Sequence, residues 1–130
     1  MTIEELRTEC EMYQTELETV ISTTDINAAI ERGVNIAAYH ARIGLMLAEA
    51  KLLARKKKSS EISEVVISIA KQNYLSSKAQ NALVDSIASE ELFYVDWLDR
   101  LNSMCVHQLD LIRSIISKEK EEMKYQNFNG

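Results

Sequence analysis

Residues 25–58 read DINAAIERGVNIAAYHARIGLMLAEAKLLARKKK, a proline-free stretch that opens on the capping residue Asp25 and closes on four cations. This pattern predicts one helix, about 50 Å long at 1.5 Å per residue. A helix of that length in a chain of 130 residues predicts an all-α fold, a bundle of three to five long antiparallel helices. It also carries more apolar length than neighbours in the same chain readily cover. Self-association is therefore expected, with a twofold homodimer as the simplest closed form. Gly33, Ala37, Ala41, Gly44 and Ala48 step along this stretch by four, four, three and four. Such a seam of small residues lets two helix backbones approach closely. Each glycine inside a helix costs roughly 1 kcal/mol relative to alanine, which close packing at the seam is expected to offset.

The rest of the chain reads in the same direction. It has no proline and only three glycines, so tight turns are few. Apolar residues make up 46% and charged residues 27%, enough for a core and a solvated surface in one domain. Thr2-Ile3-Glu4-Glu5 is a capping box, and Ile3, Leu6, Cys10, Tyr13, Leu17 and Val20 or Ile21 trace one stripe of a first helix, expected over 2–22. Ser22-Thr23-Thr24-Asp25 reads as a turn into the second, 25–58. A third helix is expected over 61–73. A fourth, 77–88, opens on the capping pattern Ser77-Lys78-Ala79-Gln80. A fifth, 89–125, has a broad stripe through Tyr94, Leu98, Leu101, Cys105, Leu109, Ile112 and Ile116, wide enough to face more than one neighbour. Residues 126–130 are expected to fray.

The cysteines, Cys10 and Cys105, are too few for a disulfide framework and read as partly buried, reduced thiols. The acidic N-terminus lacks the basic and apolar regions of a signal peptide. No window is long and apolar enough to cross a membrane. A cytoplasmic protein without membrane contact is the expectation.

Chemistry-bearing constellations are sparse. His40 and His107 are the only histidines, and Cys105 and His107, two apart, project to different sides of a helix. No Glu-x-x-His motif of the di-iron bundles occurs, and no glycine-rich phosphate loop. No catalytic, cofactor-binding or metal-ligating residue is assigned, and an enzyme is not expected.

Charge is distributed unevenly. Residues 1–22 carry six acids and one base, whereas 23–58 carry seven bases and three acids, within a chain of net charge −5. Lys51, Arg55, Lys56, Lys57 and Lys58 form the one local candidate for an anion or nucleic-acid patch. The same cations at a helix C-terminus also complement its dipole.

The stretches Ala41-Arg42-Ile43-Gly44-Leu45-Met46-Leu47-Ala48-Glu49-Ala50-Lys51, Ala79-Gln80-Asn81-Ala82-Leu83-Val84 and Trp97-Leu98-Asp99-Arg100-Leu101-Asn102 through Arg113-Ser114 resemble small all-helical proteins encoded by phages and prophages of gut bacteria. The resemblance covers the last two-thirds of the chain and transfers no catalytic motif. It implies an interaction role. Some such proteins accompany recombination and single-strand-binding genes, and others bind a host protein or a signalling nucleotide. The leading expectation is a non-enzymatic, homo-oligomeric helical interaction protein with a possible protein partner. An accessory nucleic-acid binder using the basic patch is the first alternative. Capture of a small anionic ligand such as a signalling nucleotide is the second.

Overall fold

The computed structural model describes the backbone of residues 1–129 and the side chains of residues 1–126. Five helices and no strand occur among the described residues: α1 (Ile3–Glu18), α2 (Ile26–Lys58), α3 (Glu61–Gln72), α4 (Ser77–Ile87) and α5 (Ser89–Asn129). The fold is an all-α bundle. The backbone of 126–129, where fraying was expected, continues α5, and Gly130 lies outside the described residues.

The long helices α2 and α5 run antiparallel and form the main contact of the molecule. The direction follows from who meets whom. Arg32 reaches Gln108, Gly33 lies against Ile112, and at the other end Lys57 pairs with Glu91. α1 lies along both, parallel to α5, through Arg7 to Tyr94 and Gln14 to Trp97. Its buried stripe is Leu6, Cys10, Tyr13 and Leu17. This stripe meets Ile36, Ile43 and Met46 of α2 and Leu98, Leu101 and Cys105 of α5 in one core. Apolar residues at steps of three and four put all of these on single faces, and their burial is the main driving force of the fold.

The local signals act as physical chemistry demands. The Thr2 hydroxyl accepts from the Glu5 amide at 3.2 Å, and the Thr2 amide donates to the Glu5 carboxylate at 3.4 Å. Asp25 caps α2, accepting from the Ala28 amide at 3.1 Å. At α4 the cap is Ser76, one residue before the expected Ser77, with its hydroxyl accepting from the Ala79 amide. Gln80 then reaches back to the Leu75 carbonyl at 2.9 Å instead of to an amide.

α1 ends at Glu18, four residues before the expected Ser22. Thr19 is extended, and the β-branched run Thr19-Val20-Ile21 gives little support to a further turn. The exposed carbonyls are taken by other helices. The Arg32 guanidinium donates to Glu16 O at 2.7 Å and Thr19 O at 3.1 Å, and Gln108 donates to Leu17 O at 2.6 Å. α1 has no basic residue in its own last turn. Arg32 supplies that cation from α2, where it complements the negative helix end.

α3 ends in a Schellman motif. The Tyr74 amide donates to Lys71 O at 3.0 Å and the Leu75 amide to Ala70 O at 3.1 Å. The left-handed position of this motif favours glycine, yet it holds Tyr74 at φ 58°, with its side chain 96% exposed. Tyr74→Gly is expected to stabilise the protein by up to about 1 kcal/mol, since glycine adopts this conformation without a Cβ clash. Urea unfolding checks this.

Both thiols lie in the core, at 0% exposure. Burial, helped by Glu9 and Glu11, pushes the Cys10 thiol up from 9.0 to about 11, and burial raises Cys105 as well. Below pH 9.0 both states carry neutral thiols and the stabilisation is complete. Between pH 9.0 and about 11 the unfolded chain ionises first, so stability falls as pH rises. The urea midpoint is expected to drop across that window, less steeply in Cys10→Ala, and native thiols are expected to resist alkylation at neutral pH.

Candidate interaction surfaces

The face that α2 buries is Ala29, Ile36, Ile43, Met46, Ala50 and Ala54. The small-residue seam lies about a third of a turn away around the helix. Only Gly33 packs within the chain: a Cβ there would stand 3.3 Å from Ile112 Cγ2. Ala37, Ala41, Gly44 and Ala48 are exposed, and a Cβ on Gly44 would meet nothing within 4 Å. Beyond Gly33 the seam is therefore not the line along which α2 meets α1 and α5. The reason is apolar area. Turning Ile36, Ile43 and Met46 inward removes more of it from water than turning a row of alanines inward.

This choice leaves α2 apolar on its outer side as well. Opposite the core stand Ile30, Val34, Leu45 and Leu52, interleaved with Ala37, Ala38, Ala41 and Ala48, all exposed. Val34 is 66% and Leu45 52% accessible. The charged residues that share this stretch are mostly turned elsewhere. Arg42 makes a two-pronged pair with Glu9 at 3.0 and 2.9 Å. Glu49 lies 3.4 Å from the amino group of Met1, and Arg32 serves α1. Glu31 and Lys51 alone remain at the margins of the face. A helix on the surface of a monomer ordinarily shows a polar outer side, and one that is apolar all round is ordinarily buried.

The basic stretch divides. Lys58 Nζ lies 2.9 Å from Asp85 of α4, and Lys57 Nζ lies 3.6 Å from Glu91 of α5. Glu91 is 7% exposed, and its second carboxylate oxygen is buried without a hydrogen-bond partner. These two lysines therefore tie the α3–α4 hairpin and the start of α5 to the end of α2. Lys51, Arg55 and Lys56 are exposed and remain available to an outside anion.

Two further surfaces lie elsewhere. Phe93, Trp97, Met104, Gln14 and Arg100 line an open groove of about 740 Å³ between α1 and α5, edged by Asp96 and Asp99. Its aromatic residues Phe93 and Trp97 lie 5.8 Å apart by ring centroid, and Phe93 also meets the buried Tyr94 at 5.3 Å. The groove is anchored by the Trp97 indole donating to Gln14 at 3.0 Å and the Arg7 guanidinium donating to the Tyr94 hydroxyl at 2.8 Å. Sequence periodicity places these aromatics on α5 but says nothing of the α1 residues that frame them. On α3, Ile62, Val65 and Ile69 form a short exposed apolar ridge. Among the described residues no three His, Cys, Asp or Glu side chains converge as metal ligands, and no helix is long and apolar enough to cross a membrane.

The division of the basic stretch has a measurable consequence. Lys57→Ala leaves a buried carboxylate without its cation and is expected to cost about 1–3 kcal/mol. Lys56→Ala, at an exposed site with no ion pair among the described residues, is expected to cost less than about 0.5 kcal/mol. Chemical denaturation of the two variants distinguishes them, and equal costs would mean that Lys57 is not structural.

Comparison of the chain with protein-family models, with curated proteins and with solved structures returns no match.

Proposed function

We propose that this chain is a non-enzymatic helical interaction protein that works as a homo-oligomer, in its simplest form a twofold dimer. The observation that carries the reading is the apolar outer side of α2, exposed from Ile30 to Leu52. Burying one apolar side of a long helix is enough to build a core. A second apolar side along the same helix, left to solvent, costs solubility unless another surface covers it.

The nucleic-acid reading has less support. Its proposed patch loses Lys57 and Lys58 to ion pairs within the chain. The three cations left are not interleaved with aromatics that would stack on bases.

Multi-angle light scattering and sedimentation velocity at micromolar concentration test the proposal. The expected mass is a multiple of the 14.8 kDa chain, falling toward one chain on dilution. A single-chain mass at every concentration would overturn it.

A further inference from the structure

We infer that the outer side of α2 is covered by α2 of a second copy of this chain, running antiparallel, with the twofold axis passing at Ala41. The inference rests on the homo-oligomeric reading and specifies the surface, direction and register of the contact.

The register comes from the arrangement of side chains about Ala41. Val34 and Ala48 stand seven residues either side of it, and Ile30 and Leu52 eleven. Ala37 and Leu45 stand four either side. An antiparallel pairing centred on Ala41 therefore sets Val34 against Ala48 of the second copy and Leu45 against Ala37. Large side chains meet small ones on both sides of the axis, as interdigitated helix packing requires. Ala41 meets its own copy, and the open space beside Gly44 permits close approach there. Ile30 and Leu52 close the two ends. A parallel pairing would instead stack Val34 on Val34, Leu45 on Leu45 and alanine on alanine. That arrangement is crowded at some levels and hollow at others.

Charge selects the same direction. The N-terminal end of α2 carries Asp25 and Glu31 on its surface, and the C-terminal end carries Lys51, Arg55 and Lys56. Antiparallel pairing sets Lys56 of the second copy level with Ile26, between Asp25 and the Glu31 flank, and does so twice by symmetry. It also opposes the two helix dipoles. Parallel pairing would place the two basic ends side by side. The exposed half of the basic stretch thus has a role without nucleic acid: it fixes the direction of self-association. The ion pairs within the chain engage Lys57 and Lys58, which leaves the cations that this pairing uses on the surface.

Cysteine cross-linking in the full chain tests the register, because Cys10 and Cys105 are buried and do not compete. Ala41→Cys is expected to give a disulfide-linked dimer under mild oxidation. Val34→Cys alone is not, since two copies of that position would lie about 21 Å apart at 1.5 Å per residue. A mixture of the Val34→Cys and Ala48→Cys proteins is expected to cross-link with each other. Leu45→Glu, at an exposed site, is expected to weaken dimerisation by about a hundredfold while leaving helical circular dichroism unchanged. Raising salt is expected to weaken the wild-type dimer and to affect Lys56→Gln less. If Val34→Cys cross-links with itself as well as Ala41→Cys does, the antiparallel register is wrong. If the chain is oligomeric but neither Ala41→Cys cross-links nor Leu45→Glu dissociates it, another face carries assembly. In that case this inference fails and the homo-oligomeric reading survives. A chain that is monomeric throughout overturns both.

Discussion

The antiparallel packing of α2 on α5 is the contact on which everything else in this molecule hangs. The two helices are about 50 and 60 Å long by their residue numbers, and neither is covered by any other element along its whole length. Leu98, Leu101, Cys105 and Ile112 of α5 meet Ile36, Ile43 and Met46 of α2 in one core. Where Gly33 faces α5, the missing Cβ makes room for Ile112. This pair provides the groove that α1 fills and the end that the α3–α4 hairpin closes.

α1 is held in that groove by its apolar stripe, but its position along the groove is set by polar groups. Arg42 grips Glu9 with two hydrogen bonds, Trp97 reaches Gln14, and Arg32 and Gln108 together take the carbonyls at the end of α1. Sliding by a turn would break these hydrogen bonds of defined geometry as well as the interdigitated packing of the stripe. The hairpin is held more lightly, by the pair of Lys58 with Asp85 and a small buried patch around Ser63, Ala70 and Ala88. The same four cations that end α2 thus serve three purposes. They complement the helix dipole, they secure the hairpin and the start of α5, and those left over remain on the surface.

Packing α2 on α5 also has a consequence outside the core. A helix has one circumference, and α2 carries aliphatic side chains around most of it. The core takes the side with Ile36, Ile43 and Met46, and the side with Ile30, Val34, Leu45 and Leu52 is left facing out. The unusual feature of this protein is therefore a surplus of apolar surface on its central helix, and assembly is the physical response that such a surplus favours.

The amino-acid sequence by itself determined the helices, their order and most of their ends. Capping at Thr2 and Asp25, the absence of proline and the steps of three and four along α1 and α5 all act over a few residues of chain, so they are readable without knowledge of neighbours. The sequence was silent or misleading wherever the answer depended on a distant partner. The early end of α1 depends on Arg32 and Gln108, which lie 13 or more residues away in the chain. The shift of the α4 cap from Ser77 to Ser76 is a local exception, lying in the turn two residues after Tyr74 in its left-handed conformation. Above all, the seam from Gly33 to Ala48 is visible as a pattern, but which side of α2 turns inward is not. Both sides are apolar, and only tertiary packing, which favours the side that removes more area from water, could decide between them.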